Sequence, residues 1–300
     1  MLETDYIRLT HKLKEHKVII KVKNIYQKIL VGYFIVLVGY WTLLHRSGLK
    51  DTNWNYAYST LFSLTPLVVG CFGMFASRIW GALKSSIGKS VLFFSLGLFL
   101  WGAGSMVWSY YNFIPRVPAP YPSLADIGFA PSIFFWCLGA VFLSKATGAR
   151  FAFKKSNILK VLTLVCLVGL TLLGYYALVK VARGGVVVPE GETPLKVILD
   201  IAYPLGDFIA LVLSVIIFGL SFKYFGGRYK LSIISILAGL GVMFVGDFVF
   251  SYTITAQTFF VGDFGDFILT TGLALLSFGV LGFATTPSNE PKQKLESGAK

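Results

Sequence analysis

The chain consists mostly of long apolar runs separated by short polar connections. Five of these runs carry no charge and three contain an acidic residue; they cover residues 29–44, 57–77, 90–114, 127–144, 161–179, 201–222, 231–262 and 264–283. A membrane-spanning helix needs about 20 predominantly apolar residues. The pattern therefore predicts an all-α integral membrane protein with eight transmembrane helices.

The stretch before the first run has a different periodicity. In residues 1–28, apolar positions at Leu2, Tyr6, Leu9 and Leu13 follow helical spacing among several lysines. This pattern predicts a basic amphipathic helix that leads into the first span. Such a helix either lies on the inner leaflet or docks a second copy or a cytoplasmic signalling partner, and both interpretations stay open.

An internal repeat organises the apolar runs. The third and seventh runs share four identical residues at an offset of 142: positions 97, 104, 109 and 110 match positions 239, 246, 251 and 252. The fourth and eighth runs show a similar relation at an offset of 140, where Asp126 and Gly139 match Asp266 and Gly279. Such steady offsets predict two parallel four-helix repeats, covering residues 29–145 and 146–283. Residues 284–300 are expected to form a disordered cytoplasmic tail.

Composition and charge agree with a cell-membrane protein. Hydrophobic residues make up 55% of the chain and charged residues 14%, against about 25% charged in soluble domains. The two terminal segments and the second, fourth and sixth connections between the apolar runs together hold 21 lysines and arginines. The first, third, fifth and seventh connections hold 6. The positive-inside rule then places both termini in the cytoplasm. The net charge of +13 favours contact with the lipid bilayer rather than with nucleic acid.

Six aspartates stand out because they lie at or just inside the ends of apolar runs. They are Asp126, Asp200, Asp207, Asp247, Asp263 and Asp266. An ionised carboxylate in hydrocarbon costs roughly 2.5 to 3.5 kcal/mol on insertion scales, so such residues usually face a bundle interior, a watery cavity or a partner. We therefore treat all six as candidate ligand- or cation-binding residues.

Their depth suggests one shared site. Counting from the cytoplasmic lysines places Asp126, Asp207, Asp247 and Asp266 near one level, so four helices can direct carboxylates into an outward-facing cavity. The alternative is that Asp126, Asp207, Asp263 and Asp266 cap helix starts. Asp247 is the strongest candidate, since a carboxylate near a helix C-terminal end gains nothing from capping.

Other residue types have structural interpretations. Gly102, Gly104, Gly239, Gly241, Gly272 and Gly279 are expected to let neighbouring helices approach closely. The aromatic residues near the outer ends are expected to anchor the protein at the membrane interface; they are Trp54, Tyr56, Tyr58, Trp108, Tyr110 and Tyr111.

The sequence contains no haem, retinal or nucleotide signature, and the cofactor is unknown. If a metal binds, aspartate oxygens favour a hard cation such as Ca²⁺ or Mg²⁺.

Several short strings carry a resemblance. The strings are residues 202–207 (AYPLGD), 246–252 (GDFVFSY), 265–266 (GD) and 122–128 (PSLADIG). They resemble the multi-span membrane sensor region that precedes diguanylate cyclase, phosphodiesterase or histidine kinase domains in many bacteria. The resemblance covers roughly residues 55–283 and implies a sensor module. Because no cyclase or kinase domain follows the last span, we expect any signal to pass through a partner.

The sequence therefore predicts a sensor-like or ligand-binding membrane module, and enzymatic activity is not the favoured interpretation. A cation- or proton-coupled transporter or channel would use the same acidic cavity. Residues 265–268 (GDFI) also resemble the catalytic segment of the presenilin family of intramembrane aspartyl proteases, with Asp207 or Asp247 as the second carboxylate. The residue before Phe264 is aspartate where that family has glycine, and no Pro-Ala-Leu segment follows.

Overall fold

The computed structural model describes residues 2–117, 119–147, 157–181, 184–186, 193–221 and 229–284. Within these ranges, the structure describes only the backbone for residues 2–24 and for several positions between 159 and 221. Those positions include Asp200 and Asp207. The predicted tail beyond Ala284 and the apolar face predicted for residues 1–24 also lie outside the described residues.

The described residues form eight α-helices and no β-strand. They are α1 (Leu2–Ser47), α2 (Asn53–Ser77), α3 (Ser86–Phe113), α4 (Asp126–Ala146), α5 (Asn157–Gly174), α6 (Pro194–Ser221), α7 (Lys230–Thr255) and α8 (Phe264–Leu281). Helix α5 continues into a π-helical segment, Tyr175–Val181. Each predicted apolar run therefore coincides with a helix.

Six of these helices are long and apolar enough to cross a membrane. The candidate spans are Ile25–Ser47, Asn53–Trp80, Ser86–Phe113, Asp126–Ala146, Lys230–Thr255 and Phe264–Leu281. In α6 the described residues include a shorter apolar stretch, Phe208–Ile217. Multiple apolar helices of this length are typical of a multi-pass protein in a lipid bilayer.

Residues 2–28 and the first span form one continuous helix, α1. One predicted boundary differs from the structure. The seventh run, predicted to extend to residue 262, ends as a helix at Thr255. Gln257 (φ 57°) and Gly262 (φ 83°) take left-handed backbone conformations that end a helix. The apolar residues of this loop pack inward, and Val261 is only 6% exposed, which explains why the sequence pattern looks like a continuing span.

Six helices form a closed ring. In order of packing, α2 contacts α3, α3 contacts α4, α4 contacts α6, α6 contacts α7, α7 contacts α8, and α8 returns to α2. Helix α1 lies outside the ring against α2 and α8, and α5 lies outside it against α6. Helices α2, α4, α6 and α8 begin at one end of this ring, which we term the cavity end.

Small residues allow the ring helices to pack closely. A Cβ atom added at Gly102 would lie 2.6 Å from the Leu67 backbone nitrogen, and one at Gly279 would lie 2.6 Å from the Ser232 carbonyl oxygen. Gly104, Gly239 and Gly272 are similarly confined, whereas Gly241 makes only an ordinary contact. The predicted packing role is thus confirmed for five of the six glycines.

Aromatic side chains join the helix ends opposite the cavity end. The Trp80 indole nitrogen donates a hydrogen bond to the Phe283 carbonyl oxygen at 2.7 Å. The Tyr229 ring stacks on Phe283 with a centroid separation of 5.3 Å. These contacts connect the end of α2 with the start of α7 and the end of α8.

Candidate ligand-binding cavity

A cavity of about 60 Å³ lies inside the ring near the cavity end. All six ring helices contribute to its wall, through residues such as Ser59 of α2, Trp101 of α3, Ile133 of α4 and Tyr203 of α6. Since a buried water needs only about 10 to 15 Å³ of such space, the cavity has room for a few waters or a small ligand.

Three of the six predicted aspartates line this one cavity. Asp126 is the first residue of α4, Asp247 lies in the last third of α7, and Asp266 lies in the first turn of α8. The antiparallel order of the ring brings the start of α4 and α8 level with the end of α7. Residues separated by up to 140 positions in the sequence therefore line the same cavity.

Both carboxylate oxygens of Asp126 accept hydrogen bonds. Oδ2 accepts a hydrogen bond from the Ser123 backbone nitrogen at 2.6 Å, which closes the turn leading into α4. Oδ1 accepts a hydrogen bond from the Tyr203 hydroxyl group of α6. Asp126 therefore stabilises a helix start and also connects two neighbouring helices, α4 and α6, at the cavity wall.

Asp266 has a similar local role. Its Oδ2 accepts a hydrogen bond from the Gly262 backbone nitrogen at 2.6 Å. Its own backbone nitrogen donates to Asp263 Oδ1 at 3.0 Å. Asp266 is 7% exposed, so its carboxylate is held between the preceding loop and the cavity.

Asp263 is the N-cap of α8 and is absent from the cavity wall. Burial raises the pKa of its carboxyl above the ordinary value and the negative charge of Asp51 raises it further, while hydrogen bonds from the backbone of Asp266 and Gly265 lower it. For Asp263, the capping interpretation describes the observed geometry.

Asp247 differs from the other two because it lies within a helix and near that helix's C-terminal end. It is partly buried, and its charge acts on the Tyr203 hydroxyl group together with the charge of Asp126. Tyr203 thus lies near two carboxylates from two different helices. The helix positions of Asp200 and Asp207 are described, but their side chains are not.

Aromatic rings form most of the remaining cavity wall. They are Phe62, Trp101, Trp108, Tyr121, Phe129, Tyr203 and Phe250. Sequence reasoning did not predict this wall. Trp108, interpreted from the sequence as an interfacial anchor, lines the cavity instead. The anchor interpretation is wrong for Tyr58, which is fully buried and hydrogen-bonds Thr270 at 2.9 Å, because position near a helix end does not specify which way a ring points.

Serine hydroxyls complete the cavity wall. Ser59, Ser105 and Ser251 contribute from α2, α3 and α7, and Ser105 hydrogen-bonds Ser63 between α2 and α3. One signal in the sequence could have located part of this set. The repeat offset of 142 aligns Ser105 with Asp247, and Trp108 with Phe250.

The three lining carboxylates belong to three different helices, α4, α7 and α8. Among the side chains that the structure describes, no three histidine, cysteine, aspartate or glutamate residues stand close enough to hold a metal ion. Cys71 and Cys137 lie on different helices, α2 and α4.

Comparisons with protein-family models, with curated proteins and with solved structures found no match.

Proposed function

We propose that this protein is a sensor-like, ligand-binding membrane module whose outward-facing acidic cavity takes up a small ligand or cation. The observation that carries the proposal is the cavity itself, with Asp126, Asp247 and Asp266 in its wall. Carboxylates inside an apolar bundle are unfavourable unless solvent, a partner group or a ligand satisfies them. A cavity between them supplies the space for that ligand.

The proposal includes eight spans arranged as two repeats of four. The helix contacts support this arrangement, since each contact in α1–α4 has a counterpart four helices later. The α2–α3 and α3–α4 contacts correspond to α6–α7 and α7–α8, and the α4–α6 contact corresponds to α8–α2. A pseudo-twofold axis through the ring relates such pairs.

Individual glycine contacts support the same relation. Gly97 lies against Trp136 and the Ser132 carbonyl, and Gly239, at an offset of 142, lies against Leu276 and the Gly272 carbonyl. The contacted residues are themselves related by an offset of 140. Gly139 against Phe94 and Gly279 against Ile236 form a second pair of this kind.

The cavity wall also contains equivalent positions from both repeats. Asp126 corresponds to Asp266, Ser105 to Asp247, and Trp108 to Phe250. Ligand sites at the interface between two repeats are common in duplicated membrane proteins. This correspondence also supports a transporter or channel as the second candidate function, and flux into proteoliposomes would distinguish it from a sensor.

A sensor needs a contact that changes when the ligand binds. The Tyr203–Asp126 hydrogen bond is suited to this role, because it connects the neighbouring helices α6 and α4, which belong to different repeats, at the cavity wall. A ligand that engages the Asp126 carboxylate competes with the Tyr203 hydroxyl. Binding then alters how the two repeats are held together, and a cytoplasmic partner at residues 1–28 would receive the change.

The first experiment measures the melting temperature of detergent-purified protein between about pH 4 and about pH 8, with and without added cations. We expect a cation-linked shift in the wild type that is lost in Asp247→Asn, and a pH dependence that is reduced but kept in part because Asp263 also contributes to it. A ligand at about 100 times its Kd stabilises the folded state by about 2.7 kcal/mol. Asp207→Asn is expected to behave like Asp247→Asn.

Asp51→Asn is the matched control, because it makes the same chemical change at a residue that accepts a hydrogen bond from the Val261 backbone outside the cavity wall. The control should retain the wild-type shift on addition of cations, whereas its pH dependence changes because the Asp51 charge raises the pKa of Asp263. Superimposable curves for wild type and Asp247→Asn would mean that the aspartates act only in helix capping and packing.

A further inference from the structure

The rings in the cavity wall form two connected groups. In the first group, Trp101 lies 5.9 Å from Phe62 and 5.2 Å from Phe129, measured between ring centroids. In the second group, Trp108, seven residues further along α3, lies 5.9 Å from Phe250. Phe62 and Trp101 are only 3% and 6% exposed. The rings within each group therefore pack against one another.

The charge of the wall has a single sign. It contains Asp126, Asp247 and Asp266 but no lysine, arginine or histidine among the described lining residues. An anion would face the carboxylates without a compensating positive group. A neutral apolar ligand would gain no electrostatic attraction from the carboxylates.

A ring face attracts positive charge through its quadrupole, and the attraction strengthens where water is excluded. Combined with carboxylates, aromatic faces suit a cation whose charge is spread over alkyl groups. A hard metal ion needs several oxygen ligands at short distances, and no three acidic, histidine or cysteine side chains in the described part of the chain stand close enough to hold one.

We propose that the cavity binds a small organic cation, an alkylated ammonium, held between the Trp101 and Trp108 ring groups with its charge directed at Asp126 and Asp247. This inference rests on the proposed ligand-binding function and specifies the class of ligand. The alkyl groups contact the rings, and the charge is balanced by carboxylates from both repeats.

The test titrates purified protein in a maltoside detergent with ammonium, methylammonium, trimethylammonium and tetramethylammonium ions, using melting temperature and tryptophan fluorescence as readouts. Tert-butanol is the neutral control, since it has the same number of heavy atoms and nearly the same shape as tetramethylammonium. We expect affinity to rise with methylation and the neutral alcohol to have no effect at equal concentration.

Two variants test the two halves of the recognition. Asp247→Asn removes a charge and Trp108→Leu removes a ring; each should weaken tetramethylammonium binding by about tenfold or more. Trp54→Leu is the matched control, because Trp54 is 64% exposed and outside the cavity wall. If Trp108→Leu does not fold, Phe250→Leu removes a ring of the same group.

The same alkylammonium chemistry occurs in free amines and in lipid headgroups. Choline and lysophosphatidylcholine distinguish the two sources: tighter binding of choline assigns a soluble amine, and tighter binding of the lipid assigns a headgroup. Either result supports the organic-cation inference.

Three results would overturn the inference. The first is that tert-butanol and tetramethylammonium bind with equal affinity. The second is that neither Asp247→Asn nor the ring variant changes the binding of the ammonium ions. The third is that Ca²⁺, Mg²⁺ or Zn²⁺ gives a response that depends on Asp247 whereas no ammonium ion does. The third result would retain the cavity as a binding site with a different ligand. Absence of any Asp247-dependent response to protons, metals or ammonium ions would instead refute the proposed function itself.

Discussion

At the scale of single residues, the buried carboxylates at the start of α8 show how this protein accommodates charge in an apolar setting. Asp263 is 5% exposed, and it accepts a hydrogen bond from the Asp266 backbone nitrogen at 3.0 Å. Asp266 in turn accepts one from the Gly262 backbone nitrogen. The two carboxylates thus satisfy backbone donors at a helix N-terminus, where negative charge is favoured by the helix dipole.

The raised pKa of Asp263 predicts a pH dependence of stability. Because the folded state holds this proton more tightly than the unfolded state, stability falls as pH rises above about 4 and through the raised folded-state pKa. Asp263→Asn stays neutral and is an equally good N-cap. Its stability relative to wild type should therefore increase with pH, as measured by melting temperature across a pH series.

Asp263→Ala separates charge from capping. This variant also loses the pH-dependent contribution, but it should be less stable than Asp263→Asn by about 0.5 to 2 kcal/mol at every pH because the cap is gone. Parallel pH curves for wild type and Asp263→Asn would contradict the raised pKa.

At the scale of helices, packing depends on how closely pairs of helices approach each other. A Cβ atom at Gly239 of α7 would lie 2.8 Å from the Leu276 backbone nitrogen of α8. A methyl group there must push two backbones apart, whereas at Gly39 of α1 it would meet nothing within 4 Å. The same substitution thus has different consequences on a ring helix and on a peripheral helix.

We expect Gly239→Ala to destabilise the protein by about 1 to 3 kcal/mol, the usual range for overpacking. Gly39→Ala should be neutral or slightly stabilising, since alanine favours the helical state more than glycine does. Melting temperatures in one detergent compare the two variants directly. Equal effects would show that the α7–α8 interface can separate without cost.

At the scale of the whole molecule, the arrangement in the membrane depends on whether α5 and α6 span. Six helices are candidate spans among the described residues, and the proposed duplication adds α5 and α6. If the termini are cytoplasmic, as the sequence predicts, eight spans place Gly185, between α5 and α6, on the outer side. If α5 and α6 stay on the inner side, Gly185 is cytoplasmic.

Single cysteines test this arrangement in a cysteine-free background with a membrane-impermeant thiol reagent on intact cells. Gly185→Cys and Gln257→Cys should react from outside, and Ser85→Cys should react only after permeabilisation. Gln257→Cys is the internal control, because its connection faces outward with either six or eight spans. A protected Gly185→Cys beside a reactive Gln257→Cys would contradict eight spans.

Much of the site follows from the placement of a few residues in the sequence, and part of it does not. Asp126, Asp247 and Asp266 were predictable because a carboxylate in an apolar run needs a polar environment, and their depth follows from helix geometry. Trp101 and Phe129 were not predictable, since an aromatic residue in a span can equally face lipid, a neighbouring helix or a cavity. Tyr203 became recognisable as a site residue only once α4 and α6 were seen to be adjacent.

The sequence by itself determined that this is a helical membrane protein and where its helices lie. Apolar run length and the hydrogen-bonding demand of the backbone in lipid leave almost no other solution. Only the tertiary structure decided the closed ring, the aromatic wall and the meeting of three aspartates in one cavity. These features depend on which helix faces pack together, and where lipid and protein interiors are equally apolar, hydropathy does not distinguish one face from another.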